Sequence, residues 1–263
     1  MLLSVIVPTY KPKHNLVEDI DHIEKVLSQT RYEWEIIVVF DGFDGDTAFI
    51  KTKKKLASSR VKVLGYPTNR GKGYAVRFGM ARAKGSIIGF IDAGMDINPN
   101  GISMLLEHMQ WYEADALLGS KYHPASKVTA SFTRKLLSNS SRLLVRILFG
   151  LKVRDTQAGI KFFKRKLLEK VLPRLLVKRW AFDIELLAVA KYLGFERIYE
   201  APIKLSQNYL SNVGLAGKNG VVKTLLDTFA IFYRLKILGY YNDKSKRKWV
   251  YDKELDMRIN TGL

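Results

Sequence analysis

Four times between Leu2 and Asp92 a short apolar run gives way to a segment with helical spacing or a basic loop, and two of those runs stop abruptly at an acid. Residues 2–7 are closed by Pro8, residues 35–40 run into Asp41-Gly42, residues 61–64 precede a basic loop, and residues 86–91 end at Asp92. Helical patterns over 16–27, 50–56 and 74–80 lie between them. Short runs without alternation suit strands covered on both faces, and helices between strands act as crossovers, so the pattern points to a mostly parallel, doubly wound α/β sheet. Ligands in such sheets bind outside the carboxyl ends of the strands. Asp41 and Asp92 are therefore expected over one crevice.

A further helix over 102–112 and a strand over 116–119 continue the pattern, which then changes. Residues 134–149 form a basic amphipathic helix with Leu136, Leu137, Leu143, Leu144, Ile147 and Leu148 on one side. A strand over 161–163, helices over 167–176 and 182–193 (the second closed by Gly194) and strand-like pieces at 197–200 and 202–205 follow. Residues 221–238 read as an amphipathic helix interrupted by Lys223, Asp227, Arg234 and Lys236, and the tail from Asn242 is polar. Sheet signals stop near Ser206. The expected division is an α/β domain over 1–205 and a helical appendage with a polar tail over 206–263.

The formal charge of +19 over 263 residues anticipates an anionic partner: nucleic acid, an acidic membrane face or phosphorylated small molecules. No helix-turn-helix, zinc or RNA-binding signature accompanies it, so nucleic acid is not expected. The absence of cysteine excludes disulfides, thiolate metal sites and cysteine nucleophiles, and the four histidines (His14, His22, His108 and His123) show no ligand spacing. Residues 1–4 lack the charged lead and cleavage site of a secretory signal, and no window reaches the ~18 uninterrupted apolar residues of a spanning helix. The expectation is a protein that is soluble or lies on a membrane without crossing it.

Asp92 and Asp96, on one short loop after a strand, are suited to holding a divalent cation through oxygen ligands. The plainer alternative makes Asp92 a turn residue and Asp96 a cap for a helix near Pro99. Asp41 can accept hydrogen bonds from a nucleobase edge or simply form an Asp-Gly turn. The loop Thr68-Asn69-Arg70-Gly71-Lys72-Gly73 can cradle phosphate, although it lacks the Walker A spacing. Arg134, Ser138 and Arg142 fall at i, i+4 and i+8 on one helical stripe, where they can converge on a phosphate together with Lys121, or form an ordinary basic surface. The plainer alternative is preferred for Lys135 and Arg146. Asp183 and Glu185 stand where a helix dipole favours acids, and Asp155 and Gln157 can be turn residues.

Taken in order, Pro8-x-Tyr10, Asp41-Gly42, Asn69-Arg70-Gly71-Lys72-Gly73 and Asp92-Ala93-Gly94-Met95-Asp96 resemble the family-2 glycosyltransferases of the GT-A, Rossmann-like fold. Gly119-Ser120-Lys121-Tyr122, the block from Asp155 to Phe163 and the block from Arg179 to Leu187 narrow the resemblance to the polyprenyl-phosphate sugar synthases, nearer the dolichyl-phosphate glucosyl than the mannosyl branch. The resemblance spans about residues 2–205 and implies a mostly parallel twisted sheet flanked by helices, with a C-terminal amphipathic helix beyond it. It implies that Pro8, Tyr10, Asp41, Arg70, Lys72 and Asp92 bind the nucleotide sugar. Asp92 and Asp96 would hold Mg²⁺ or Mn²⁺, and Lys121, Arg134, Ser138 and Arg142 the acceptor phosphate. Asp155, Gln157 and Asp183 join Asp92 and Asp96 as catalytic candidates. Two departures bear on this. Gly94 replaces the second acid of the usual Asp-x-Asp, leaving metal-independent turnover open, and Lys121 stands where arginine is usual, keeping charge without bidentate geometry.

The implied activity is inverting transfer of a hexose from a nucleotide diphosphate sugar, UDP-glucose first and GDP-mannose second, to a polyprenyl or dolichyl phosphate in protein glycosylation. A phosphate oxygen is already anionic and needs little help from a base, whereas a hydroxyl acceptor would need Asp155 or Asp183 to take its proton. A same-fold transferase acting on a glycan hydroxyl, and a nucleotide-binding relative with impaired catalysis, are the alternatives. The implied setting is cytoplasmic and peripheral, on the cytoplasmic face of a membrane, with residues 134–149 and 221–238 at the interface, the second alternatively docked on the catalytic domain or a partner helix; a membrane-anchoring partner or a homo-oligomer belongs to the same expectation.

Overall fold

The computed structural model describes residues 1–12, 15–43, 47–56, 58–126, 132–205, 217–245 and 247–260, the side chains of 132–139 and 217–219 excepted. Its strands are β1 (Leu2–Thr9), β2 (Glu33–Asp41), β3 (Val61–Tyr66), β4 (Ile87–Ile91), β5 (Ala116–Ser120), β6 (Ile160–Lys164), β7 (Ile198–Pro202), β8 (Trp249–Asp252) and β9 (Met257–Asn260). Its helices are α1 (Leu16–Ser28), α2 (Thr47–Leu56), α3 (Lys72–Arg82), α4 (Gly101–Trp111), α5 (Phe132–Phe149), α6 (Arg165–Val171), α7 (Phe182–Tyr192) and α8 (Gly217–Phe232). The main sheet has the order β3-β2-β1-β4-β6-β5-β7. β1, β2, β3 and β4 pair in parallel, as do β5 and β7, while β6 runs antiparallel to both of its neighbours. The mostly parallel sheet expected from the sequence is present.

Strand period two divides the apolar residues between two cores. Leu3, Val5 and Val7 of β1 pack under α1 and α4, whereas Ile6 faces α3 on the opposite side. In β2, Ile36, Val38 and Phe40 take the first face and Ile37 and Val39 the second. Each such buried side chain stabilises the fold by roughly 1.5–3 kcal/mol relative to exposure. α3 and α7 are buried all round over Gly73–Met80 and Phe182–Ala190. Helices of that kind are fixed by packing and hold their amino ends rigidly at the sheet edge.

Strand order reverses direction at β1, which lies between β2 and β4, and the crevice above that switch point is where an open α/β sheet places its ligand. Because β6 is reversed, its entry segment reaches the same edge. The Asp92 N–H donates to Gly159 O at 2.8 Å, so the 155–159 segment lies beside the end of β4.

Four expectations need correction. β1 runs through Pro8 to Thr9; Pro8 lies past the last β1–β4 pair, Ile6 with Phe90, so no ladder on that side requires its missing N–H. The helix expected over 167–176 ends at Val171 and tightens into a 3₁₀ turn over Leu172–Arg174, because Pro173 cannot continue an α-helical ladder. On α5 the core seam is Val145 and Phe149, while Leu143 and Ile147 are exposed. Sheet does not stop near Ser206. β8 and β9 form an antiparallel hairpin, and Tyr241 and Leu255 are buried in the core beside α7, so the tail is structured rather than merely polar.

Candidate functional site

Asp41 ends β2 and anchors the loop that follows β3. Its carboxylate accepts from the Tyr66 hydroxyl (2.9 Å), Asn69 Nδ2 (2.9 Å), the Arg70 N–H (2.7 Å) and the Gly71 N–H (2.9 Å). Burial and the adjacent Asp41 charge push the Tyr66 phenol far up, so it remains a donor. Through these bonds Asp41 shapes the 69–71 loop. Pro8 is buried beside it, whereas half of Tyr10 is exposed, with Lys11 Nζ 5.5 Å from its ring. Arg70 turns away from the crevice to bond Glu254 Oε2 at 2.5 Å and the Tyr74 hydroxyl at 2.9 Å.

Lys72 is the first residue of α3, and its Nζ donates to Asp92 Oδ2 at 2.7 Å. Burial alone would lower the lysine pKa, but Asp92 and Asp183 outweigh it and hold the group above its ordinary value. The other oxygen, Asp92 Oδ1, is buried without a hydrogen-bond partner. Gly159 permits this arrangement, since a Cβ there would meet Asp92 Oδ2 at 2.3 Å. Gly94 has φ +98°, a backbone region L side chains rarely adopt, and its N–H donates to Asp19 Oδ2 at 2.9 Å. The loop geometry therefore asks for glycine at the position where an acid would complete Asp-x-Asp. Asp96 lies half-buried in the same loop.

On the other side of the crevice Lys121, just past β5, pairs with Asp155 at 3.1 Å and gives its backbone N–H to the same buried carboxylate. Lys121 Nζ and the Arg142 guanidinium both approach the Tyr122 ring, at 5.0 and 4.3 Å from its centroid. These two members of the expected acceptor set are brought together. Arg134 and Ser138 lie on α5, and their side chains are outside those described. Asp183, at the start of α7, bonds Lys161 Nζ at 2.8 Å, and that lysine also donates to Ala158 O. Lys161 is 1% exposed; burial lowers its pKa, opposed by Asp183. Gln157 bonds Trp180 O at 3.3 Å.

Glu185, which like Asp183 stands in the first turn of α7, is buried on the far side of that helix. It accepts from the Tyr241 hydroxyl at 2.6 Å and from the N–H groups of Leu176 and Val177, and burial pushes its pKa up. Two positions after Asp183, about 200° further round the helix, it points the other way. Lys161 and Glu254 are the partners that sequence reasoning did not single out. A lysine inside an otherwise apolar strand run, Ile160-Lys161-Phe162-Phe163, was the available signal for the first.

Among the described residues no group of three or more His, Cys, Asp or Glu gathers around a point. The site is thus three lysine–carboxylate pairs around a crevice: Lys72–Asp92, Lys121–Asp155 and Lys161–Asp183.

The profile of glycosyl transferase family 2 matches residues 4–172. The chain is 35% identical over 205 residues to a dolichyl-phosphate beta-glucosyltransferase of Drosophila melanogaster, covering 73% of this chain and 63% of that protein. It is 33% identical to the Homo sapiens enzyme of the same name over 72% of this chain and 63% of that one. The Saccharomyces cerevisiae enzyme of that name is 28% identical over 94% of this chain and 78% of the relative. The chain thus spans less than two thirds of the fruit-fly and human relatives. Among solved structures, glucosyl-3-phosphoglycerate synthase of Mycobacterium tuberculosis, in complex with Mn²⁺, UDP and phosphoglyceric acid, superposes with a TM-score of 0.60 at 21% identity, over 86% of this chain and 78% of that one. The same protein with Mg²⁺ and UDP gives 0.58 at 20% identity, over 98% and 86%. These likenesses establish the GT-A-type fold.

Proposed function

This chain belongs to glycosyl transferase family 2, and from that premise we propose that it is an inverting glucosyltransferase that moves glucose from UDP-glucose to a polyprenyl phosphate of the dolichyl class at a membrane surface. The activity in the names of the fruit-fly, human and yeast relatives supports the glucose and the dolichyl phosphate. UDP in the solved structures of similar fold supports the donor base, with GDP-mannose as the second candidate. We take residues 1–205 as the catalytic unit and 206–263 as an appendage whose Ile231, Leu235, Tyr241 and Leu255 join its core.

One observation carries the choice of acceptor. Asp92, Asp155 and Asp183 are each already bonded to a lysine ammonium, at 2.7, 3.1 and 2.8 Å. A hydroxyl acceptor needs a carboxylate within reach to take its proton, and these three are engaged with lysines instead. A phosphate monoester needs none. Its anionic oxygen attacks the anomeric carbon opposite the diphosphate; the new C–O bond forms as the bond to UDP breaks, and the configuration inverts. Lys121 and Arg142, converging on Tyr122, are placed to hold the acceptor phosphate, with Arg134 and Ser138 further along the same helix. Tyr10 and the loop anchored by Asp41 frame the base.

The buried, unpartnered Asp92 Oδ1 fits a divalent cation such as Mg²⁺ or Mn²⁺, which commonly takes one or two carboxylates and completes its shell with phosphate oxygens and water. Asp92, with Asp96 beside it, would hold the ion; bound there it would neutralise charge on the departing diphosphate. Lys72 lends a fixed positive charge to the same group, and Gln157 and Asp183 shape the sugar pocket between the two ends.

The membrane setting rests on α5 and α8. Leu143 and Ile147 on the first and Val221, Leu225, Leu226 and Phe229 on the second are exposed, and Phe149 and Phe232 join the two helices at 6.4 Å between ring centroids. No described helix is long and apolar enough to cross a bilayer. An apolar face on a chain of net charge +19 suits the anionic lipid of a cytoplasmic leaflet. The test incubates the protein with vesicles containing a polyprenyl phosphate and labelled UDP-glucose or GDP-mannose, with and without Mn²⁺, and follows label into lipid extract. Lipid-linked glucose from UDP-glucose is expected. Label that stays water-soluble with every donor ends this reading.

A further inference from the structure

The hairpin of β8 and β9 lies outside the segment matched by the family profile, yet its turn is tied to both ends of the helix that carries Lys72. Glu254 in that turn bonds Arg70, just before α3, through its carboxylate, and accepts from Arg82 Nη2, the last residue of α3, through its backbone oxygen at 2.6 Å. The turn is itself braced: Asp252 Oδ1 accepts from the N–H groups of Glu254 and Leu255, both at 2.9 Å, and Leu255 is 1% exposed in the core. The Arg70 guanidinium lies 4.8 Å from the Tyr74 ring centroid and 5.6 Å from that of Tyr66, whose hydroxyl donates to Asp41. A continuous set of contacts therefore runs from the hairpin through Arg70 to the carboxylate that shapes the 69–71 loop.

We propose that this hairpin is a strap on the donor loop, with Glu254 a positioning residue that acts through Arg70 to hold the loop in its nucleotide-receiving conformation. The inference rests on the reading of the crevice as a nucleotide-diphosphate site. Glu254 touches neither sugar nor acceptor, so its loss should weaken donor binding without changing the rate at saturation. A turn held by its own Asp252 bonds and by a buried leucine is a strut, not a gate that opens for each turnover.

The test uses the full chain and UDP as probe. Glu254→Gln is expected to weaken UDP binding up to about five-fold, the range for a partly exposed ion pair, with kcat at saturating donor unchanged. The charge-swapped double variant Arg70→Glu/Glu254→Arg is expected to restore most of that loss. In the unliganded protein, Glu254→Gln is expected to speed hydrogen exchange at the Arg70 and Gly71 amides while leaving those of β1 and β2 protected. Unchanged exchange and unchanged UDP affinity overturn the strap, as does tighter UDP binding, which would make Glu254 an occluding group. Failure of the swapped pair to recover binding overturns it too, assigning Arg70 directly to the ligand. A wild-type protein that binds neither UDP nor GDP sinks the donor reading and the positioning role with it, and is distinguished from failure of the strap alone by the exchange result.

Discussion

Two aspartate–lysine pairs of nearly equal length sit about the same crevice and differ in what surrounds them. In Lys72–Asp92, at 2.7 Å, the side chains are 20% and 36% exposed, and one carboxylate oxygen has no partner. In Lys161–Asp183, at 2.8 Å, they are 1% and 6% exposed, and the lysine is bonded to a backbone carbonyl as well. Burial dominates the second lysine and lowers its pKa; at the first it is outweighed by Asp92 and Asp183, and the pKa rises. The same chemical pair thus serves two ends. An ion pair with an oxygen left over can exchange water or lysine for an incoming cation or phosphate, whereas a sealed pair has desolvation as a fixed cost and can only hold shape.

Breaking the open pair should show the largest effect. Asp92→Ala is expected to cut glucosyl transfer by a factor of about 10³ or more, the scale of losing a group aimed at developing charge, while the melting curve stays close to wild type. A variant that keeps full activity would dissolve the distinction. The sealed pair should respond in the opposite currency. Lys161→Met strands Asp183 in the interior and is expected to lose about 3–5 kcal/mol of stability in urea unfolding. Lys161→Met/Asp183→Leu should recover a large part of it. If the double variant is as unstable as the single one, burial of an unpaired charge is not the cause.

The contrast between the pairs also marks what the sequence could disclose. Asp41 and Asp92 were legible as strand-ending acids on one edge because apolar runs and turn residues are local signals, and the parallel order follows from crossover helices. The Asn69–Gly73 loop was legible for the same reason. Lys161–Asp183 was not, because its partners meet only once β6 inserts antiparallel between β4 and β5, and nothing local to residues 160–164 states that direction. Arg70 was given to the nucleotide sugar by its place in a glycine-rich basic loop and by the family resemblance; its bond to Glu254 spans 184 positions and depends on a hairpin of two four-residue strands, too short for a periodic pattern. On α5, Leu143 and Ile147 are spaced i, i+4, and so are Val145 and Phe149. Periodicity reveals two apolar stripes but not which one meets the core.

Smaller effects should separate the acceptor end from both pairs. Lys121→Ala removes one cation near the expected phosphate and frees Asp155, so the KM for polyprenyl phosphate is expected to rise about ten-fold with UDP affinity unchanged, as suits loss of one charge-assisted bond. Equal changes for donor and acceptor would place Lys121 in the framework instead.

The smallest expected effect lies farthest from the crevice. Leu226 is 63% exposed on α8, so replacing it with aspartate removes no core contact and should leave urea unfolding and transfer to a short, water-soluble polyprenyl phosphate as they were. Binding to vesicles rich in anionic lipid should fall about three- to ten-fold, because a charge replaces one of several apolar side chains entering the headgroup region. Raising the salt should weaken the wild-type protein on the same vesicles, since basic residues share that attachment. If Leu226→Asp binds vesicles as well as wild type but runs smaller in gel filtration, the α8 face is covered by a second copy of the chain, and the acceptor reaches Lys121 and Arg142 by a route that does not pass over this helix.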